Sequence, residues 1–210
     1  MTADQHQTPA RAPLLSGARV FLRHPAQGDQ PEIAALRRAS DAWLGPWEPW
    51  ISDGRPMDPD TLAARMVETS LTETGQRHLA CLIGSGTIIG MCNLSQIFRG
   101  PFDNCVLGYW CGRVHAGKGY MTEGVGLVLR RCFQHLGLHR VEANIMPRNQ
   151  PSRALARRCG FRLEGYSPNY LQIAGRWEGH ERWAMTREDF SLLEAARADH
   201  PQAERGLTSV

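Results

Sequence analysis

The chain reads as a mixed α/β domain whose central sheet is mostly antiparallel and flanked by helices. Three observations predict this. Two β-rich runs, "RHLACLI" and "TIIGMCNLSQIF", are joined by a glycine-rich "GSG", the expected connector of a hairpin. The run "NCVLGYWCG" leads through a glycine-rich loop into an amphipathic helix, and a further strand, "HRVEANIM", follows. The segment "FRLEGYSPNYLQIAGRWEGHERWAMTRE" makes a final hairpin that turns at Ala174 and Gly175.

The remaining elements fall between these. "ARVFLRHP" is a first strand, with Val20 and Leu22 on one face. "DQPEIAALRRAS" is a helix: Ile33, Leu36 and Arg37 recur at helical spacing, and Pro31 is tolerated in the first turn. "DAWLGPWEPW" holds three tryptophans and two prolines in ten residues, which excludes a regular helix. "DPDTLAARMVETSLTETG" is a second helix, capped by Asp58 or Asp60 and ended by Gly75. "RGPFD" turns the chain between the meander strands. The helix at 119–136 keeps Met121, Val125, Val128, Cys132 and Leu136 on one face and stops at Gly137. In "HRVEANIM", Val141, Ala143 and Ile145 alternate with Glu142, Asn144 and Met146. "NQPSRALARRCG" is a short helix ending at Gly160, and residues 197–210 read as a loose tail.

With 210 residues, one domain with frayed ends is expected. Its bounds are a disordered lead-in at 1–12, a domain at 13–190, and a helix end with a loose tail at 191–210. An apolar content of 42% and a charged content of 21% are ordinary for a globular chain. No run approaches the ~20 apolar residues of a membrane span. The N-terminus lacks the basic and apolar regions of a secretory signal, so a cytoplasmic home is expected. The six cysteines form no CxxC pair and have no histidine at finger-like spacing, which argues against structural zinc. A net charge of +3 is too small to argue for nucleic acid, and suits an anionic ligand equally well.

The stretch "VHAGKGYMTEG" is almost bare of bulk where a helix begins. The first amides of a helix have no internal partner, and the helix dipole adds positive character there. An anion at that point accepts several N–H bonds, provided side chains stay out of the way. Gly117 and Gly119 meet that condition, and Lys118 adds charge. The nucleotide P-loop is excluded, because GxxxxGK followed by Ser or Thr is absent; GxGxxG fails as well. What remains is a short GxG loop for a diphosphate, or a plain glycine turn that starts a helix.

Here the chain resembles the GNAT family of N-acetyltransferases, whose acetyl-CoA loop reads Q/R-x-x-G-x-G/A between a strand and a helix. The matching window is 114–119, with Val114 at the first position and Arg113 one residue early. "GYW", "GKGYMTE", "LGLHRVEANIMPRNQPSRALARRCGFRLEGY" and "GRWEGHERWAM" are similar to the RimJ-type alanine N-acetyltransferases of ribosomal proteins; "PWEPW" and "IIGMCNLSQIFRG" add to this. The likeness spans about 19–188. It implies the acyl-CoA N-acyltransferase fold, with two neighbouring strands, here 105–111 and 140–146, splayed in the middle of the sheet. The pantetheine arm of acetyl-CoA would lie in that gap, bonded to backbone that a closed sheet would use up.

The resemblance also implies a site. Tyr109, Trp110 and Cys111 would line the arm, and a backbone N–H there would serve the developing oxyanion. Val114, His115, Ala116, Gly117, Lys118, Gly119, Tyr120 and Met121 would hold the diphosphate. Asn149 would bond the arm, and Ser152 would protonate the leaving thiolate, with Tyr170 as second candidate. As bare sequence, Asn149 is an ordinary N-cap and Ser152 a first-turn polar residue. Glu48, set among Trp43, Trp47 and Trp50, is the leading candidate to bind the amine or relay its proton; these residues and Phe98 are the expected acceptor wall. Glu142 is the runner-up, and reads equally as a satisfied charge on a sheet face. Trp177 and Trp183 read as core or dimer packing. Arg153, Arg157 and Arg158 could touch RNA or form a solvated helix face.

Three functions are consistent with these residues. The first is an acetyl-CoA-dependent acetyltransferase for a protein N-terminus, such as that of a ribosomal protein. The second keeps the cofactor and takes a small amine, an antibiotic or a polyamine. The third is a non-catalytic module that docks CoA or a ribosomal particle. No metal, no membrane contact and no sequence-specific nucleic acid are expected, and the chain is expected as a monomer or a homodimer.

Overall fold

The protein is described here from a computed structural model, covering residues 12–50 and 55–199. The lead-in expected at 1–12 therefore lies, save its last residue, outside the described residues. One sheet of nine strands runs through the described residues. In chain order these are β1 (Leu15–Ser16), β2 (Val20–Arg23), β3 (Leu71–Thr72), β4 (Gly75–Leu82), β5 (Ile88–Phe98), β6 (Asn104–Cys111), β7 (Arg140–Ile145), β8 (Arg162–Ile173) and β9 (Arg176–Thr186). Their spatial order is β1-β2-β4-β5-β6-β7-β9-β8, with β3 paired to β4. Only β6 and β7 pair in parallel, so the sheet is mixed and mostly antiparallel.

Helices cover both faces. On one, α1 (Gln30–Arg38) and α3 (Pro59–Glu68) bury Ile33, Ala34, Ala63 and Met66 against Leu79, Cys81 and Met91 of the sheet. On the other, α4 (Tyr120–Arg130) and α5 (Gln150–Arg158) bury Val125, Val128 and Leu155 against Leu94, Leu107, Val141 and Trp183. Full burial of each of the Ile, Leu, Val and Met side chains among these contributes about 1.5–3 kcal/mol, so the alternation of apolar residues fixes which strand face meets which helices. A last helix, α6 (Arg187–Asp199), lays Phe190 against Phe133, ring centroids 5.0 Å apart.

Several sequence expectations need correction. The segment before the second helix contains a short α turn, α2 (Asp41–Leu44), and a turn of 3-10 helix at Gly45–Trp47; the prolines forbid a long helix but not single turns. Helix α3 is capped as expected, by Asp58 of the two candidates, whose side chain accepts from the amides of Asp60 and Thr61. It ends at Glu68 rather than Gly75, because the chain turns into β3 and Gly75 opens β4. Helix α4 gives way to a π turn at Arg131–His135 before Gly137. Residues 197–199, expected in the tail, continue α6.

The feature that makes the site is the parting of β6 and β7. They pair only at Asn104 with Arg140, Cys105 with Val141 and Val106 with Glu142. Beyond that point β6 is held by β5 alone, out to Cys111 against Gly90, and β7 by β9 alone, out to Ile145 against Glu181. Each strand is anchored by its outer neighbour, so the inner edges diverge and leave backbone polar groups facing a cleft. The splay expected for these two strands is present.

Candidate active site

The loop after β6 is built almost wholly of main chain. A 3-10 turn at Arg113–His115 uses the amides of His115 and Ala116 for bonds to the carbonyls of Gly112 and Arg113. The amides of Gly117, Lys118, Gly119, Tyr120, Met121 and Thr122 then have no acceptor among the described residues, and the first regular helical bond is Glu123 N–H to the Gly119 carbonyl. Gly117 and Gly119 sit at φ +75° and +76°, the left-handed region where glycine is at ease. A side chain on Gly117 would point into open space; one on Gly119 would meet the Arg19 guanidinium at 3.2 Å. Six unpaired amides at the N-terminus of a three-turn helix form a cradle for an anion. Val114 and Lys118 stand exposed around it, while Met121 sends its side chain into the core and can offer only its amide. Burial, with Lys118 nearby, lowers the His115 pKa, which favours a neutral imidazole.

Arg19 and Glu123 fix this loop to the sheet. The Glu123 carboxylate accepts from the amides of Arg19 and Val20 at 2.7 and 3.2 Å, and from Arg19 Nε at 3.1 Å. The Arg19 guanidinium donates to the Lys118 carbonyl at 3.1 Å and lies 5.1 Å from the Tyr120 ring centroid.

On the α4/α5 side of the cleft, the hydroxyls of Tyr109 and Ser152 meet at 2.9 Å, and the Tyr109 hydroxyl also reaches the Ser152 carbonyl at 3.1 Å. Burial pushes the Tyr109 phenol up, so it keeps its proton at neutral pH. Asn149 caps α5 through its Oδ1, which accepts from Ser152 N–H at 3.2 Å. The Cys111 thiol, pushed to about 11 by burial, is inert as a nucleophile.

Trp110 alternates to the opposite face, where α1 and the 41–50 segment form a wall. Glu48 is ion-paired to Arg37, and the Arg37 guanidinium lies 5.0 Å from the Trp110 ring centroid. Three further contacts tie the segment down. Trp43 stacks under Arg113 at 4.8 Å and Trp47 under Arg148 at 5.0 Å, while Trp50 packs against Gly175 of the β8–β9 turn. The Glu48 carbonyl accepts from Ala174 N–H of the same turn at 3.0 Å. Glu48 thus sits where the aromatic segment, α1 and the last hairpin meet.

Other expected residues lie elsewhere. Phe98 ends β5 opposite Asn104, at the closed end of the β6–β7 pair, and stacks on Phe102 at 6.2 Å. That is seven residues along β5 from Met91, the partner of Trp110, or about 23 Å of strand; Phe98 is not part of the acceptor wall. Glu142 is buried with its two oxygens taken by Arg140 and Arg182 at 2.8 Å each. Burial alone would raise its pKa, but these bonds outweigh it and hold the carboxyl below its ordinary value. It is a structural ion pair, unsuited to take a proton. Tyr170 projects from a bulge of β8 onto Arg182, ring centroid at 4.9 Å, with its hydroxyl 3.3 Å from Asn144 Nδ2. It is on the acceptor side of the sheet, across from Ser152. Trp183 is core, whereas Trp177 is 64% exposed and is not. Arg153 pairs with Glu181 and Arg157 stacks on Trp183, so two of the three α5 arginines are engaged within the fold.

Sequence reasoning missed Arg37 as a site residue. Its signal was there: an arginine four residues after Ile33 on the apolar face of a helix is a buried cation, which requires a partner. No helix of the described residues is long and apolar enough to cross a membrane, and no cluster of potential metal ligands occurs among them. All six cysteines are free thiols.

A sheet parted at its centre, with an anion cradle at the mouth of the parting, is the architecture of a transferase that takes its acyl group from a phosphorylated carrier. The chain belongs to the GNAT family: the family described as "Acetyltransferase (GNAT) domain" matches residues 19–162. Among its relatives is the ribosomal protein uS5-alanine N-acetyltransferase of Escherichia coli, 36% identical over 84% of this chain and 92% of that one. Solved structures agree. RimJ of Mycobacterium smegmatis in complex with CoA-disulfide aligns with a TM-score of 0.74 at 28% identity, over 84% of this chain and 88% of that one. The ribosomal-protein-S5-alanine acetyltransferase of Vibrio fischeri aligns at 0.72 and 28% identity, over 84% and 97%. A spermidine N-acetyltransferase of Vibrio cholerae shares the fold, with a TM-score of 0.68 at 21% identity over 83% and 99%. The protein is an N-acetyltransferase that uses acetyl-CoA. The residues present fit that molecule: the unpaired amides before α4 suit its diphosphate, and the parted strands suit its arm.

Proposed function

We propose that the acceptor is the α-amine of a protein N-terminus, of the ribosomal-protein alanine type. The observation that carries this is the relationship to the uS5-alanine enzyme, which runs at 36% identity through nearly the whole of that protein. The wall supports it. A site for a polyamine gains from several unpaired carboxylates, whereas the carboxylate among these tryptophans is already matched by Arg37. A cytoplasmic location follows, since acetyl-CoA and ribosomes meet there.

The chemistry asks little of a base. An α-amine has a pKa near ~7.7–8, so roughly a tenth to a fifth is neutral at pH 7, against under about a thousandth for a lysine. Glu48, 32% exposed at the edge of an aromatic wall, holds the ammonium and takes or relays its proton. Bound acetyl-CoA supplies an acetyl thioester. The amides of residues 117–122 hold the diphosphate, and Asn149 holds the arm. The Tyr109–Ser152 hydroxyl pair lies on the far side of the cleft from Glu48 and hands a proton to the departing sulfur. Acid and base are thereby kept on opposite faces of one sheet.

The test is thiol release from acetyl-CoA with peptides beginning in alanine or serine, against spermidine and an aminoglycoside. Faster turnover of the peptides is expected. Turnover of a small amine with none for the peptides would contradict the assignment.

A further inference from the structure

Among the described residues, the wall holds two buried donors with nothing to donate to. Arg37 is 7% exposed, and its Nη2 serves Glu48, but its Nη1 has no acceptor among the described residues. Trp110, in the same stack, has a buried indole Nε1–H that is also without one. A buried donor left unpaired is costly, and native proteins rarely keep two side by side without use. They come from different elements, α1 and β6, and meet where Arg37 lies over the Trp110 ring and pairs with Glu48.

Resting on the function proposed above, we propose that Arg37 and Trp110 read the carbonyl oxygen of the acceptor's first residue while Glu48 takes its ammonium. An N-terminal residue carries a donor, the ammonium, and an acceptor, the carbonyl oxygen, on either side of one carbon. The Arg37–Glu48 pair presents the complement: a carboxylate oxygen, Oε1, and a guanidinium nitrogen, Nη1, neither bonded among the described residues. Polyamines and alkylamines have no such oxygen. A site whose buried donors need an oxygen rejects a ligand without one, since binding would leave them unpaired. Both nitrogens are closed to water in the free protein, so on binding the carbonyl oxygen takes their hydrogen bonds while Glu48, the more exposed partner, keeps Arg37 on one oxygen and turns the other to the ammonium. The pair is then a specificity device, which selects α-amino acyl groups over simple amines.

The experiment compares an alanyl peptide with its analogue in which the first carbonyl is reduced to methylene. Wild-type enzyme, Arg37→Lys and Trp110→Phe are assayed, with CoA affinity measured for each to show that the fold is intact. Comparing the peptide-to-analogue ratio of kcat/KM between enzymes cancels the amines' own basicity. In Arg37→Lys the ratio should fall about ten- to a hundredfold, the size of one charge-assisted hydrogen bond, and in Trp110→Phe by less. An unchanged ratio in both variants would overturn the inference, because the two donors would then be met by ordered water only. Equal loss on both substrates would also overturn it, reducing Arg37 to a support for Glu48. Peptide turnover by the wild type separates these outcomes from failure of the proposed function: if it is absent, both readings fall, and if it is present with an unchanged ratio, only this one does.

Discussion

The loop at 113–122 and the wall at 37–50 bound one cleft but use opposite materials. The loop offers backbone: six amides, two left-handed glycines and few side chains in the way. The wall offers side chains: three tryptophans, each against a cation or the β8–β9 turn, and one ion pair. Backbone recognition suits a ligand that never changes, since a diphosphate needs only donors and a dipole. Side-chain recognition suits a partner that differs between relatives, because it changes with single substitutions while the frame stays. The two are bolted together, for the Arg113 amide donates to Ser40 Oγ at 3.0 Å and its guanidinium covers Trp43.

The contrast is broken most severely at Gly117. Gly117→Val puts a β-branched residue at φ +75° and fills the open space of the cradle. Strain of ~1–3 kcal/mol and lost charge-assisted bonds of ~1.5–3 kcal/mol should weaken CoA binding about a thousandfold. Calorimetry should show this in a protein whose circular dichroism is unchanged. Next in size, Glu48→Gln should lower kcat about a hundredfold while CoA affinity stays within twofold. Steady-state kinetics beside calorimetry checks it, and a wild-type rate would remove Glu48 from the mechanism.

A control lies outside both regions. His78, wholly buried in β4, has no partner for either ring nitrogen among the described residues, and its pKa is lowered to about 3, by burial first and then by His24 and Arg131. The folded pKa lies below the unfolded value near ~6.5, so the unfolded chain binds the extra proton. This group's stability is fully present above that value and is lost as pH falls toward about 3, at up to ~1.4 kcal/mol per pH unit. His78→Leu should flatten that part of the urea-midpoint profile without touching CoA affinity at pH 7. The smallest effect is at the helix cap. Asn149→Ala removes the acceptor for Ser152 N–H and should cost ~1 kcal/mol in urea denaturation, with a further loss of kcat as Ser152 shifts.

The same contrast explains what could be read from the chain. Gly117 and Gly119 announce the loop because a positive φ and bare amides leave a local signature just ahead of an amphipathic run. The hairpin turn at Ala174 and Gly175 was legible for the same reason: both residues have positive φ, as a two-residue turn requires. The parting of β6 and β7 has no local signature, since either strand would look the same in a closed sheet, and it came from the family likeness. The wall was half legible. Tryptophans and Glu48 stand together in sequence, but the partners that define them, Arg37, Trp110, Arg113 and Arg148, are spread over more than a hundred positions. Glu142 shows the reverse error: polarity on a strand suggested chemistry, and Arg140 and Arg182, two and forty residues away, had already satisfied it. Phe98 failed because a motif match does not say which end of a long strand faces the site.

The central claim is that unpaired main-chain donors clasp the diphosphate, and amide hydrogen exchange tests it most directly. Adding CoA should slow exchange at residues 117–122 far more than at 41–50, and pantetheine, which lacks the diphosphate, should leave 117–122 as they were. Exchange at 117–122 indifferent to CoA, in a protein that binds it, would contradict the account.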